Sequence, residues 1–77
     1  MALITDATET WSAPVTLAND EIWQARWGST FVSTTSSPAA NDGFSLTQGQ
    51  GVLIRAGLQV RYRKEGSTDA LIVREVV

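Results

Sequence analysis

The sequence predicts an all-β protein, a small antiparallel β-sandwich or barrel of jelly-roll-like type with about seven or eight short strands. Two observations carry this prediction. Apolar and polar residues alternate over several short segments, which is the pattern of strands with one buried face. Turn residues separate these segments at intervals of roughly 8–12 residues, as in antiparallel sandwiches and barrels.

The length and composition predict one β domain over residues 11–77, preceded by a segment 1–10 that is either an N-terminal arm or an edge strand. A chain of 77 residues is near the lower limit for a self-sufficient core. It has no cysteine and no histidine, which excludes disulfides, zinc–thiolate sites and histidine-activated nucleophiles. We therefore predict that the protein is not an enzyme, holds no metal or cofactor, and gains stability as a homo-oligomer.

Charge is distributed unevenly along the chain. Residues 1–42 contain five acidic groups and one arginine, a net of −4, whereas residues 43–77 contain five cations and three acids, a net of +2. This asymmetry suits contacts between copies or docking on an acidic surface. The alternative is that the charged residues only form the solvated faces of ordinary strands. The total of −2 does not favour nucleic-acid binding. No apolar run is long enough to span a membrane, and no charged-then-apolar leader opens the chain. We therefore expect neither a membrane segment nor an export signal.

The first half contains three predicted strands after the terminal segment. Residues 11–17 alternate, and Pro14 predicts an edge position because proline cannot donate a ladder hydrogen bond. Residues 21–27 favour a strand over a short helix, with Trp23, Ala25 and Trp27 on one face. Residues 30–35 are rich in β-branched and aromatic side chains and predict another strand. A loop over 36–43 follows.

The second half is organised around residues 43–63. After a short strand at 44–46, residues 52–54 predict a strand that is covered on both sides, because the run is continuously apolar. Residues 58–63 alternate, which predicts a cationic face containing Arg61 and Arg63. The break at Ala56-Gly57 predicts a tight hairpin between these two strands. The apolar run 70–77 predicts a last strand inside a sheet or at a subunit contact.

Residue types that carry chemistry have simpler structural explanations here. The acidic pairs Asp20-Glu21 and Glu65/Asp69 fall in predicted turns, where carboxylates are solvated or cap the backbone. The glycines at 49 and 51 lack the lysine and helix of a phosphate loop. Trp23 and Trp27 could form an aromatic platform for sugars, but tryptophan more often fills a core or an interface.

The second half of the chain resembles small β-sandwich virion proteins of tailed phages and gene transfer agents. The resemblance lies in the order of DGFSL, TQGQG, VLIRAG, LQVRYR and the terminal ALIVREVV, a glycine turn leading to a strand pair and a last apolar strand. It implies a protein that decorates or cements a capsid, or forms the base of a spike or fibre on the head.

These observations predict a capsid decoration or cement protein of a tailed phage, made in the host cytoplasm and located on the capsid surface. The expected partners are the major capsid protein and further copies of the chain, without nucleic acid or membrane. A head-spike or fibre base is the alternative within this class, and a carbohydrate-binding or adhesion module is the alternative outside it. The predicted interface residues are Leu3, Ile4, Trp11, Trp23, Trp27, Arg61 and Arg63.

Overall fold

Eight antiparallel β-strands form the part of the chain described by this computed structural model, residues 2–39 and 41–77. Met1, within the predicted segment 1–10, and Ala40, within the predicted loop, lie outside the described residues. The strands are β1 (Ala2–Ile4), β2 (Val15–Thr16), β3 (Glu21–Trp27), β4 (Thr30–Ser33), β5 (Phe44–Leu46), β6 (Gly51–Ile54), β7 (Gln59–Lys64) and β8 (Leu71–Val76).

The strands form two four-stranded sheets, sheet A in the order β1-β8-β3-β6 and sheet B in the order β2-β7-β4-β5. The pairs β1·β8, β2·β7, β3·β6 and β4·β5 are those of one long hairpin that is rolled up, so most connections cross between the sheets. This is the jelly-roll arrangement of eight strands. The predicted all-β antiparallel sandwich is therefore confirmed.

The predicted hairpin between β6 and β7 is wrong, because the two strands lie in different sheets. The turn at Ala56-Gly57 is present, with Gly57 at φ 88°, but it connects sheet A to sheet B. The prediction that this strand is covered on both sides is also wrong, because Leu53 points to the outer face of sheet A and is about half exposed. Among the described residues β6 pairs with β3 alone and lies at the edge of the sheet.

The inner faces of the two sheets form the core. Val60 and Tyr62 of β7 are buried, as the alternation predicts, although Leu58 precedes the strand and is exposed. The indole of Trp23 packs against the Tyr62 ring with centroids 6.1 Å apart. The largest of the fully buried side chains in the described part of the chain are Trp23, Leu17, Ile72, Val32, Val60, Thr30 and Ser33.

A β-bulge near the end of β3 changes the direction of Trp27. The pairing of β3 with β8 shifts register between Ala25 and Trp27, so one extra residue is inserted. Trp23 and Ala25 are fully buried, whereas Trp27 is 54% exposed and pairs with Leu71. The prediction that these three residues share one face is therefore wrong, since strict alternation ends at the bulge.

The terminal segments have defined places in the sheets. Near the N-terminus, β1 pairs with β8 at the edge of sheet A. Strand β8 lies between β1 and β3, inside the sheet, which agrees with its apolar sequence. The strand predicted over 11–17 is limited to Val15–Thr16, and it lies at a sheet edge as Pro14 predicts.

Candidate interaction surfaces

The described residues contain no pocket and no group of three or more side chains suited to hold a metal ion. The same part of the chain includes no helix long and apolar enough to cross a membrane. The two outer faces of the sheets are the candidate interaction surfaces.

The outer face of sheet A is apolar. Residues that pair across strands point to the same side, so Leu3, Val73 and Gln24 lie in one row of this face, and Ile22 and Leu53 lie in the next. Of the eight large hydrophobic residues that are exposed in the described part of the chain, four are on this face, each about half exposed. We call it the apolar face; its apolar residues are Leu3, Ile22, Trp27, Leu53, Leu71 and the largely buried Val73.

The outer face of sheet B is polar and cationic. The strand residues that the structure describes on this face include two arginines and no carboxylate. We call it the cationic face; its strand residues are Thr16, Phe31, Ser45, Gln59, Arg61 and Arg63. Ser33 points the same way but is buried. The two outer faces therefore differ in chemistry.

Arg63 lies between two aromatic rings on the cationic face. Its guanidinium carbon is 4.2 Å from the centroid of the Phe31 ring and 5.3 Å from that of Trp11. The Trp11 indole donates a hydrogen bond of 3.0 Å to the carbonyl of Ala39, which holds the ring beside this residue. The planar guanidinium is attracted to the faces of aromatic rings at such distances, and these contacts hold the Arg63 side chain in place. Arg63 is therefore an ordered, half-buried part of this surface.

Arg61 is the more available of the two arginines. Its guanidinium donates one hydrogen bond, of 3.4 Å, to the carbonyl of Thr35, and no ring of the described residues stacks on it. Five N–H donors leave a guanidinium with spare hydrogen-bonding capacity after a single contact. Arg61 is thus the residue of this face best suited to bind a carboxylate of another molecule.

A charged cluster lies at the inner face of sheet A. The carboxylate of Glu21 is buried and accepts two hydrogen bonds from Arg74, of 2.8 and 2.9 Å, and one of 3.1 Å from the indole of Trp23. The bonds from Arg74 hold the pKa of Glu21 below its usual value, against the opposing effect of burial. A carboxylate that is kept ionised by a bidentate partner is a poor general acid or base, so the arrangement is structural.

The Glu21 geometry corrects a sequence prediction. Glu21 was expected in a turn together with Asp20, but it is the first residue of β3 and points inward. Asp20 does lie in the turn, where its carboxylate accepts hydrogen bonds from the backbone N–H of Ala56 and from Arg55. The backbone bond from Ala56 is the main cause that lowers the pKa of Asp20.

Tyr62 links sheet B to the segment after β1. Its hydroxyl donates a hydrogen bond of 2.7 Å to the carboxylate of Asp6. Burial of the phenol, together with this bond, raises the pKa of Tyr62 to about 12 from the ordinary 10.0. Because the folded state holds the proton more tightly than the unfolded state, this contribution to stability is present below pH 10.0 and is lost as the pH rises toward 12.

We expect the wild type to lose roughly 2 kcal/mol of unfolding free energy through this group between pH 10 and pH 12. Denaturant unfolding at a series of alkaline pH values measures the loss. Tyr62 is the only tyrosine of the chain, so its titration can also be followed directly by tyrosinate absorbance. A Tyr62→Phe variant should lack this part of the pH dependence. Equal alkaline slopes in the two proteins would contradict the prediction.

The predicted interface residues fall into three groups. Leu3 and Trp27 lie on the apolar face, and Trp11, Arg61 and Arg63 lie on or over the cationic face. Trp23 is fully buried and Ile4 packs against the core, so neither side chain is available to a partner in this fold. For Trp23 the correction has a clear reason, since it precedes the bulge and keeps the inward direction.

Three surface residues with defined contacts were missed by the sequence predictions. Phe31 stacks on Arg63, and Ile22 and Leu53 lie side by side on the apolar face. The alternation of Ile22 with Trp23 and Gln24 contains the signal for Ile22, because a residue next to a buried tryptophan points outward. Leu53 is hidden within a continuous apolar run, which gives no indication of its direction.

Comparison of this chain with known proteins found no matching family model, no matching characterised protein and no matching solved structure.

Proposed function

We propose that this chain is a structural protein of a phage-type virion, a decoration or cement protein that binds the capsid surface and bridges capsid subunits. The observation that carries the proposal is the pair of flat outer faces, one apolar and one cationic, on a jelly roll whose described residues contain no pocket. Jelly rolls recur in viral capsid and lectin domains, and the choice between such functions rests on the surfaces rather than on the fold.

The proposed mechanism is mechanical. The cationic face docks on an acidic surface of the major capsid protein, with Arg61 as the main charged contact and the stack of Trp11, Arg63 and Phe31 as a rigid aromatic neighbour. Complementary charge orients the contact and excludes other partners. Each square ångström of apolar surface that is buried contributes about 25 cal/mol, so small contacts become large when they repeat over a shell.

Two other functions correspond to different arrangements of the same surfaces. A head-spike or fibre base would use them at fivefold positions of the shell rather than over its whole area. A carbohydrate-binding module would need the aromatic platform of Trp23 and Trp27, and these indoles lie on opposite faces of sheet A. Trp27 alone is exposed, so the geometry favours the virion proposal over the sugar-binding one.

Co-sedimentation with empty capsid shells tests the proposal. The shells are assembled from a major capsid protein sought among the genes that neighbour the gene for this chain, and the purified 77-residue chain should sediment with them. An Arg61→Glu variant should bind about tenfold more weakly, because it places a negative charge against an acidic surface. Cryo-electron microscopy of the decorated shells would then distinguish placement over the whole shell from fivefold placement.

Arg55→Glu is the matched control for this experiment. Arg55 is mostly exposed, lies in the turn after β6 and forms a surface ion pair with Asp20, so the same charge reversal leaves the cationic face unchanged. It should bind shells like the wild type, since exposed ion pairs contribute little to stability. A protein that stays in the supernatant in the presence of shells would overturn the proposal, as would equal binding by the Arg61→Glu variant.

A further inference from the structure

The apolar face is large enough to form a weak, concentration-dependent contact. Its four strands lie about 4.8 Å apart and its central strands rise about 3.3 Å per residue, which gives a surface of roughly 20 Å by 20 Å. Covering this face on two molecules removes on the order of 1,000 Å² from water, the size of weak or transient interfaces. Exposed apolar patches of this extent on small proteins commonly mark an interaction site.

The charges around the apolar face are arranged in a self-complementary way. Glu75 lies opposite Ile22 at one end of the face, and Arg26 lies at the bulge, four residues farther along β3. Both are exposed, and neither forms an ion pair with another described residue. One acidic and one basic group thus stand about 13 Å apart along the strand direction.

A two-fold axis that runs across the strands, in the plane of the contact, reverses the strand direction of the second molecule. In projection onto the contact plane, it brings Glu75 of each copy within one strand spacing of Arg26 of the other. With the packed sheets about 10 Å apart, the two long side chains can meet across the contact. The same operation places Ile22 of each copy over Trp27 of the other, whereas Leu53 on β6 lies two strands away from Leu71 on β8. The charges and the contact between Ile22 and Trp27 therefore match under a single symmetry operation, as an isologous interface requires.

We propose that a second copy of this chain covers the apolar face, in a two-fold symmetric dimer in which the outer faces of two A sheets pack against each other. The dimer leaves both cationic faces exposed on opposite sides. The proposal rests on sheet A alone and does not depend on the proposed virion function, which uses sheet B.

Sedimentation equilibrium of the full-length protein tests the dimer, over roughly 1 μM to 1 mM, where interfaces of modest size dissociate. Glu75→Arg and Arg26→Glu should each raise the dissociation constant about tenfold, because each reversal creates two repulsive contacts in a symmetric dimer. The double variant with both reversals should return to within about threefold of the wild type, as a double-mutant cycle of interacting groups requires. Two substitutions in the same chain can compensate each other in this way only if the partner is a second copy of that chain.

Two further variants complete the experiment. Ile22→Lys buries a charge in the proposed contact and should abolish the dimer, whereas Thr16→Lys on the cationic face should leave it unchanged. All substituted positions are exposed, and the thermal unfolding of each variant confirms its fold. A wild type that is monomeric at the highest concentration overturns the proposal, even if capsid shells bind the apolar face. A dimer that Ile22→Lys does not weaken, or a double variant no better than the single ones, overturns it as well.

Discussion

Replacement of Arg74 by methionine is expected to lower the free energy of unfolding by about 3–5 kcal/mol, the usual cost of leaving a buried charge without its partner. Glu21 is only 5% exposed, and the guanidinium of Arg74 donates to both of its carboxylate oxygens. Methionine fills a similar volume but offers no hydrogen bond. Urea unfolding followed by tryptophan fluorescence measures the effect, since Trp23 lies directly beside the pair.

The double variant Glu21→Gln with Arg74→Met is the control for this effect. The glutamine amide oxygen can still accept the hydrogen bond from the Trp23 indole, and no buried charge remains. It should therefore recover most of the stability that Arg74→Met alone loses. If the double variant is as unstable as the single one, the loss comes from packing of the Arg74 side chain and not from its charge.

The pH dependence of unfolding, compared between the wild type and the Arg74→Met variant, also distinguishes the loss of the charge pair from the loss of side-chain packing. In the wild type the bonds from Arg74 lower the pKa of Glu21, so this contribution is present above the ordinary value of 4.5 and is lost as the pH falls through the lower folded value. In the Arg74→Met variant the two bonds from Arg74 are lost, so burial raises the pKa of Glu21 against only the hydrogen bond from the Trp23 indole, which favours the protonated form. The stability difference between the two proteins should therefore shrink as the pH is lowered.

The fold class could be predicted from local patterns, because alternation and turn spacing are properties of short segments. Strand partners could not be predicted in the same way. The turn at Ala56-Gly57 satisfies the backbone whether the following strand returns beside β6 or crosses to the other sheet. The outcome depends on pairing between β3 and β6 and between β2 and β7, which are far apart along the chain. A glycine turn therefore predicts that the chain reverses its direction, but it does not predict which strand the next segment pairs with.

The interaction surfaces were only partly predictable for a related reason. The cationic face follows from the alternation of β7, since Arg61 and Arg63 point away from Val60 and Tyr62. The apolar face depends on the bulge that turns Trp27 outward, and no residue type near Arg26 indicates an inserted position. The burial of Glu21 depends on an arginine 53 residues away. Such contacts arise only when the sheets are assembled.

The second large effect is expected at Gly28 and Gly43, where replacement by alanine should cost about 2–4 kcal/mol. Both glycines have positive φ, 70° and 95°, which an L-residue adopts at a cost. An added Cβ would also lie 2.6 Å from a backbone carbonyl oxygen, that of Asp69 for Gly28 and that of Val32 for Gly43. These oxygens belong to the backbone, so a shift of the chain is needed to relieve the contact.

Alanine variants at two other glycines distinguish the backbone strain of a positive φ from the steric overlap of the added Cβ. Gly49 has a φ of 92° with nothing within 4 Å of its added Cβ, so Gly49→Ala should show the conformational cost alone, about 1–2 kcal/mol. Gly66 has open space and no positive φ, so Gly66→Ala should be neutral or slightly stabilising. Denaturant unfolding of the four variants should give the largest loss of unfolding free energy at Gly28 and Gly43, a smaller loss at Gly49 and the smallest at Gly66.

If Gly43→Ala costs no more than Gly49→Ala, the carbonyl of Val32 moves freely, and the start of β5 is not held tightly against β4. The entry to the β4–β5 pair, on which the rolled-up hairpin is built, would then be looser than the contact at Gly43 implies.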